Sequence, residues 1–407
     1  MHIVFLTHVV PKEGKSTGGA ATYVDNMARI MAINGHTVDV IVEDEKEEIL
    51  EKNGITIHRI RATRGFRNTG KPMPTYKKLM KNICRSYWYN KEVEKINKVN
   101  DVDIVQSVNC YALSLFRRKN IPYIVRLSSY TPLWSRANKE YFDFNKCIVS
   151  RRIDEMIQLI ALKRADGLIS PSVLIQKVVY GIMGVNPYVV ESPITVDDDS
   201  KYILDEGNIT ENNYFLTYGA LTFRKCIHVL AQIIDILLDK YPNMKYVIIG
   251  GDRESYYKGK YIYASELFYS NIVRNRDRFV FLGEISDRDR LFSIVKHASI
   301  CVLPTRVDNL PNTCLESMAL GKIIVSTTSK EGTSVEQLIT DGENGFLAEV
   351  DNPESLLNKI EYAMNLSSEE KEKIQAQAKE RVKDLTPELV YPKMMEIYEK
   401  YTYKHKK

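Results

Sequence analysis

The chain has no GxGxxG dinucleotide fingerprint, no GxxxxGK[ST] phosphate loop and no Gly-x-Ser-x-Gly elbow. Hydride transfer, nucleoside-triphosphate hydrolysis and serine-hydrolase chemistry therefore lose their usual sequence warrants. Histidine is scarce: His2, His8, His36, His58, His228, His297 and His405 form no HxxxH pair and no other metal-ligand spacing. The six cysteines, Cys84, Cys110, Cys147, Cys226, Cys301 and Cys314, contain no CxxC pair, and several fall in predicted strands or helices, as expected of reduced and mostly buried thiols. No apolar run reaches the roughly 18 residues needed to cross a bilayer. The start, Met1 to Thr7, lacks a basic leader and reads as a first strand, so a cytoplasmic protein is expected. Asp101-Val102-Asp103 and Asp197-Asp198-Asp199 have the short spacing that holds a divalent metal in some enzymes. The first precedes a strand and the second lies in a predicted linker, so no metal and no cofactor is expected.

The 407 residues exceed one ordinary core and suit two domains, and 44% hydrophobic with 27% charged residues is a globular composition. An apolar strand at His2 to Leu6, a loop with Gly18-Gly19, and a helix with Val24, Met27, Ala28 and Met31 on one face make a first βα unit. That helix stops at Asn34-Gly35, and Thr37 to Val42 supplies the next strand. Further strands are predicted at Ile55 to Ile60, Ile104 to Ser107, Tyr123 to Leu127, Gly167 to Ser170 and Tyr188 to Val190. A polar stretch from Asp197 to Asn213 reads as the linker. A second α/β series begins at Tyr214 to Gly219 and continues through Tyr246 to Gly250, Phe279 to Gly283, Ile300 to Leu303 and Ile323 to Val325. The fold class is α/β, with residues 1–200 and 201–385 as two Rossmann-like domains facing each other across a cleft. A helix over residues 386–407 is expected to cross back to the first domain.

The net charge of +5 is unevenly spread: no acid occurs between Glu51 and Glu92. Arg59, Arg61, Arg64, Arg67, Lys71, Lys77, Lys78, Lys81, Arg85 and Lys91 all fall there, with Tyr76, Tyr87, Trp88 and Tyr89 among them. Residues 59–91 could meet an anionic membrane surface, or form a solvated helix face with its aromatics turned into the core. No nucleic-acid-binding motif accompanies them, and no nucleic acid is expected as a partner.

The richest stretch runs from Arg306 to Glu316. It places Asp308 in a loop and Glu316 in a helix, with seven residues between them, directly after a predicted buried strand at Ser299 to Pro304. A helix predicted over Thr313 to Leu320, closed by Gly321, would point its free amides at the carboxyl edge of the sheet, where ligands and phosphates bind. The alternative is a surface acid beside a solvated helix glutamate. Gly219-Ala220-Leu221-Thr222-Phe223-Arg224-Lys225 likewise follows a strand and precedes the helix bearing Ile227, Leu230, Ile233 and Leu237. An ammonium near 4 Å from a phosphate at an effective dielectric of about 20 is worth roughly 4 kcal/mol, so Lys225 and Arg224 there suit a diphosphate.

Gly18-Gly19, Gly219 to Lys225, Asp308 to Glu316, Gly321 to Val325 and Asp341-Gly342-Glu343-Asn344-Gly345-Phe346-Leu347, taken in order, resemble the retaining glycosyltransferases of family 4. These have the two-Rossmann B-type fold. The match is strongest from about Tyr214 to Val350. The resemblance implies a donor sugar on a nucleoside diphosphate and a saccharide or lipid-linked acceptor, without a metal. It makes Glu316 the ligand of the ribose hydroxyls and Asp308 the acid at the donor sugar. Asn309, Leu310, Pro311, Asn312 and Thr313 would supply backbone amides near the sugar and diphosphate. Lys225 and Arg224 would neutralise the diphosphate, and Gly19 would cover the phosphates from the other domain.

Three departures stand out. Asp308 replaces a usual glutamate, Ala220 replaces a common arginine, and Ser128 stands where a histidine is expected on the acceptor side. Two other readings remain open at this point: a non-catalytic subunit that binds sugar nucleotides, and an epimerase or phosphorylase of similar fold.

Overall fold

The structure, a computed structural model, describes residues 1–8, 18–66, 75–128, 144–196, 201–207 and 209–406. Strand β1 (His2–Thr7) is buried along its whole length, because a parallel sheet covered by helices on both faces turns neither side of its central strands to water. Helix α1 (Gly19–Ile33) buries Val24, Met27, Ala28 and Met31, as its periodicity predicts. It ends at Asn34 and Gly35, the latter at φ +80°, a conformation that only glycine adopts without strain. The first domain continues with β2 (Thr37–Glu43), β3 (Glu48–Lys52), β4 (Ile55–Ile60), α2 (Thr75–Val99), β5 (Ile104–Val108), β6 (Tyr123–Arg126), α3 (Phe144–Arg164), β7 (Gly167–Ser170), α4 (Val173–Met183) and β8 (Tyr188–Val189). The strand order is β3-β4-β2-β1-β5-β6-β7-β8. Only β3 runs antiparallel to its neighbour. It escapes prediction because it is a short edge whose apolar residues, Ile49 and Leu50, are exposed, although Asn53 and Gly54 at φ +52° and +73° form a two-residue hairpin turn.

The second domain contains β9 (Tyr214–Tyr218), α5 (Ile227–Lys240), β10 (Lys245–Ile249), β11 (Glu254–Tyr257), β12 (Lys260–Tyr263), α6 (Ala264–Asn271), β13 (Phe279–Gly283), α7 (Arg288–Lys296), β14 (Ile300–Val302), α8 (Asn312–Ala319), β15 (Ile324–Thr328), β16 (Phe346–Glu349), α9 (Pro353–Met364) and α10 (Ser368–Val382). Its parallel sheet runs β13-β10-β9-β14-β15-β16, with β11-β12 as a separate hairpin. Side chains alternate between the two faces: Phe215, Tyr246 and Ile248 join one core, while Tyr214, Leu216 and Val247 join the other. The strand expected from Ser299 to Pro304 shortens to β14, and the helix expected over Thr313 to Leu320 begins one residue earlier, at Asn312.

The two domains are joined where the chain crosses twice. The Ile194 amide donates to the Leu385 carbonyl at 2.7 Å. Beyond that crossing, α11 (Pro387–Lys406) returns to the first domain and buries Val390, Met394, Ile397 and Tyr398 in its core. Beside it lies Arg126, 2% exposed, whose guanidinium sits 3.7 Å over the Tyr23 ring and donates to the Val190 carbonyl and the Ser192 hydroxyl, both at 3.0 Å. A buried cation is tolerable only when hydrogen bonds and a π face replace water. Arg126 thereby ties β6 and α1 to the first crossing.

The basic segment does not behave as one surface. Arg85 is buried against Glu43 at 2.6 Å, Arg59 pairs with Glu48, Arg64 pairs with Glu47, and the Tyr89 hydroxyl donates to the Thr7 carbonyl inside the core. Tyr76, Lys77, Lys78, Met80, Tyr87 and Trp88 remain exposed along α2. Arg67, Lys71 and the acidic run Asp197-Asp198-Asp199 lie outside the described residues.

A charge cluster ties β1, β2, β4 and α2 together. Asp39 accepts from His2 and His58, each at 2.6 Å, and His58 also lies 3.4 Å from Glu92. Burial opposes the charge on His58, but Asp39 and Glu92 outweigh it and hold its pKa at about 9. Burial also opposes the Asp39 charge, and the two histidines still bring it down to about 2. The His58 contribution is complete below the ordinary histidine value of 6.5 and is lost as pH rises through about 9. The Asp39 contribution is present above 3.8 and is lost as pH falls toward about 2. Asp39→Asn should therefore cost about 3 kcal/mol at a pH between these limits, as breaking a buried ion pair does. Urea denaturation should show that loss near neutrality and a clearly smaller one in alkali above the His58 value, whereas equal losses at both would refute the linkage.

Candidate functional site

The site is built on the carboxyl edge of the second sheet. Strand β9 runs into Gly219 at φ +117°, where a Cβ would press on the Thr313 methyl at 3.2 Å. A Cβ on Gly250, at the end of β10, would lie 2.2 Å from the Gly219 carbonyl oxygen. Two glycines thus let two strand ends lie backbone on backbone. The chain then makes a 3₁₀ turn over Phe223–Lys225 and enters α5 through Cys226 at φ +51°. The turn is fastened to the loop after β14: the Arg306 amide and the Thr305 hydroxyl donate to the Arg224 carbonyl at 2.8 and 3.2 Å.

That fastening brings Arg224, Lys225 and Asp308 into one cluster. Asp308 Oδ2 is 2.6 Å from Lys225 Nζ and 3.0 Å from Arg224 Nη1, and Oδ1 accepts the Asn309 amide at 2.7 Å. Burial works against the Asp308 charge, yet Lys225 and Arg224 overcome it and hold the carboxyl well below the usual carboxylate range. Both Asp308 oxygens are thus engaged, and the carboxylate holds the two cations together. Two cations on one carboxylate leave one positive charge in excess. The N-terminus of α8 begins four residues further on, with Pro311 at its cap and no side-chain cap, so its amides add to the anion preference.

Glu316 lies one turn into α8. Burial pushes its carboxyl up, against the opposing pull of Arg288 and of Tyr218. The Tyr218 hydroxyl itself donates to the Thr313 carbonyl at 2.7 Å and lies 3.0 Å from Ser317 Oγ. A buried carboxylate whose charge is disfavoured is a strong acceptor for ligand hydroxyls. Leu310 is packed into the core, and Pro311, having no amide hydrogen, cannot serve as the donor that a run of backbone amides over 309–313 implies. Asn309 in the loop, with Asn312 and Thr313 in the first turn of α8, remain as the polar positions there.

The first domain closes over the same edge. Asn309 Nδ2 donates to the Leu127 carbonyl at 2.9 Å, and a Cβ on Gly19, the first residue of α1, would meet Asn312 Nδ2 at 2.9 Å. Gly19 therefore marks a close approach between the starts of α1 and α8. Ser128, next to Leu127, has its hydroxyl withdrawn from water without a partner among the described residues, and so do His8 Nδ1, after β1, and Thr222 Oγ1, in the basic turn. Tyr111 and Ala112, after β5, both sit at positive φ, +63° and +53°. Orphaned polar groups and strained backbone gathered along facing strand ends are what a ligand site leaves open.

Thr222, Tyr218, Arg288 and His8 were not singled out by sequence. Thr222 lies inside a motif whose sequence signal is the charge of Arg224 and Lys225. Tyr218, Arg288 and His8 gain meaning only through contacts distant in sequence. Asp103 accepts the His2 amide at 2.8 Å, a structural duty, and among the described residues no group of three or more histidines, cysteines or acids could hold a metal ion.

Residues 199–381 match the family described as Glycosyl transferases group 1, and residues 17–197 match Glycosyltransferase Family 4. An uncharacterized glycosyltransferase of Methanocaldococcus jannaschii is 25% identical over 379 residues, covering 88% of this chain and 87% of that one. Sucrose-phosphate synthase from Thermosynechococcus elongatus superposes with a TM-score of 0.74 at 15% identity, over 98% of this chain and 99% of that one. Anabaena HepE, in complex with UDP and glucose, gives a TM-score of 0.64 at 15% identity, over 98% and 99% of the two chains. Likeness at such identities shows the fold, whereas the family matches cover both halves of the sequence. Two parallel sheets facing a shared edge, with matches on either side of the crossing, make this chain a member of glycosyltransferase family 4, with the two-domain B-type fold.

Proposed function

We propose that the chain transfers a sugar from a nucleoside diphosphate to an acceptor hydroxyl with retention of configuration and without a metal ion. The observation that carries this reading is the cluster of Lys225 and Arg224 on Asp308, beside the uncapped start of α8 and one helical turn from Glu316. When the bond from the sugar to the diphosphate breaks, the electron pair leaves on the phosphate. The excess positive charge and the helix amides stabilise that leaving group where a metal would otherwise be needed. Glu316 holds the ribose hydroxyls. A diphosphate that draws Lys225 and Arg224 toward itself frees Asp308 to meet the sugar, and Gly19 covers the phosphates from the other side. Ser128 lies on the acceptor side. The UDP and glucose held by Anabaena HepE support a donor of this class.

Thermal shift against a panel of sugar nucleotides should single out the donor, since a ligand at about a hundred times its dissociation constant adds about 2.7 kcal/mol of stability. With that donor, Lys225→Ala and Glu316→Ala should each lower turnover about a hundredfold to a thousandfold, equivalent to roughly 3 to 4 kcal/mol. Turnover should persist in EDTA. Near-normal turnover in both variants would contradict the assignment.

The acceptor is proposed to be a saccharide or a lipid-linked saccharide used in surface polysaccharide or glycolipid assembly. The enzyme would then work on the cytoplasmic membrane surface. Trp88, 50% exposed, lies with Tyr76, Tyr87, Met80, Lys77 and Lys78 on α2, a mix of aromatic and basic groups that suits an anionic headgroup layer. No helix among the described residues is long and apolar enough to cross a membrane. Co-sedimentation with liposomes should rise with anionic lipid content and fall with salt; equal binding to neutral liposomes would count against this surface.

A further inference from the structure

The turn after β15 touches both domains. Gln337 ends a 3₁₀ turn over Val335–Gln337 in the second domain, and both polar atoms of its side chain reach the first. Oε1 accepts the Val173 amide at 2.8 Å, and Nε2 donates to Glu191 Oε1 at 2.6 Å. A backbone amide only donates and an ionised carboxylate only accepts, so these two partners fix which way the Gln337 amide points. Val173 is the first residue of α4, and its amide is one of those that a helix start cannot satisfy from within. The N-cap, Ser172, takes the Ile175 amide, so Val173 is capped from the other domain. Arg381, on α10, completes the bridge by donating to Glu191 Oε1 at 2.7 Å and to the Gln337 carbonyl at 2.9 Å. Glu191 and Arg381 stand just before Ile194 and Leu385, so the bridge starts at the interdomain crossing.

The other end of the same turn holds the charge cluster. The Asp308 amide donates to the Thr333 carbonyl at 3.0 Å. Thr333 is itself fixed, its amide donating to the Glu336 carboxylate at 2.9 Å and its hydroxyl to the Thr327 carbonyl at 2.9 Å. Beside it Ser334 is held at φ +71°, and its hydroxyl lies 3.3 Å from that of Ser172, both residues being buried. Residues 333–337 thus carry the backbone of Asp308 at one end and the start of α4 at the other. Helix α4 follows β7, which pairs with β6, the strand that leads into Leu127 and Ser128. The height of that wall over the cluster is therefore set where α4 meets Gln337.

We propose that Gln337 is a positioning residue: it fixes the angle between the domains and so aligns the wall of the first domain with the Lys225, Arg224 and Asp308 cluster. It acts through Val173 and Glu191 and brings no group to the nucleotide. Lys225, Arg224 and Glu316, the side chains assigned to the nucleotide, all lie in the second domain. Loosening the bridge should then disturb alignment and leave diphosphate affinity nearly intact. That the alignment serves sugar transfer rests on the transferase reading above; that Gln337 sets the domain angle does not.

The test uses the full chain and two variants, Gln337→Ala and the reciprocal pair Gln337→Glu with Glu191→Gln. The reciprocal pair exchanges donor and acceptor between the two positions and keeps every bond of the bridge. Hydrogen exchange in the first turn of α4 should be about tenfold faster in Gln337→Ala, as for one lost hydrogen bond, and small-angle scattering should give a larger radius of gyration. Both should return to wild-type values in the reciprocal pair. Calorimetric dissociation constants for UDP, GDP, ADP and dTDP should stay within about threefold of wild type for whichever binds, while kcat with the selected donor falls about tenfold to a hundredfold. A merely structural role would lower the melting temperature and leave scattering and kcat unmoved. Wild-type exchange and scattering in Gln337→Ala, no recovery in the reciprocal pair, or a diphosphate affinity that falls in step with kcat would overturn the proposal. If none of the four nucleotides binds the wild type, the transferase reading falls, and exchange and scattering still decide whether Gln337 sets the domain angle.

Discussion

Two like charges held on one carboxylate set the terms for the rest of the second domain. Arg224 and Lys225 are adjacent in sequence and would repel each other without a counter-ion; Asp308 supplies one from a loop 83 or more residues away. Holding that loop in place requires β14 to end under the basic turn, which in turn requires Gly219 and Gly250 to let two strand ends touch. The arrangement is satisfied as a structure yet carries one positive charge in excess. On the proposed reading an anion arriving between Lys225 and the start of α8 balances that charge, so the residues that hold the cluster together are also those that attract the diphosphate.

The first domain contributes approach rather than charge. Its strand ends bring Leu127, Ser128 and His8 to the cleft, and the start of α1 approaches the Asn312 side chain closely enough that a Cβ on Gly19 would displace it. Arg126 lies at the other end of this chain of contacts, locked between Tyr23 and the first interdomain crossing. Since Arg126 directly precedes Leu127, whose carbonyl holds Asn309, the crossing and the loop before α8 are linked through two consecutive residues of β6 and its end. Any rotation of one domain on the other has to stretch or release these contacts.

The parts of this fold that are legible in the sequence are those whose cause is local. The apolar runs of β1 and β9, the period of α1 and α5, and the order of Gly219, Lys225, Asp308 and Glu316 all follow from neighbours within a turn or a strand. Strand β3 and the hairpin β11-β12 are not legible because each is a short edge element: β3 leaves Ile49 and Leu50 exposed, and of the hairpin strands only Ile262 is buried, too little to impose a pattern. Their turns, Asn53-Gly54 and Lys258-Gly259, did carry a local signal. By contrast, nothing near Asp308 shows that both its oxygens are taken, nothing near Glu316 shows Tyr218 or Arg288, and nothing between 59 and 91 shows that Arg85 and Arg59 find acids outside that stretch. Those facts belong to packing between distant segments, where sequence pattern carries no information.

The central claim is that the excess charge of the Lys225, Arg224 and Asp308 cluster is matched to a diphosphate. Calorimetric affinities of the nucleoside, its monophosphate and its diphosphate, all with the base of the selected donor, test it most directly. The diphosphate should bind about ten to a hundred times more tightly than the monophosphate, as expected for one or two added hydrogen bonds between charged groups, and that step should shrink in Lys225→Ala. A monophosphate that binds as well as the diphosphate, with no change in the variant, would contradict it.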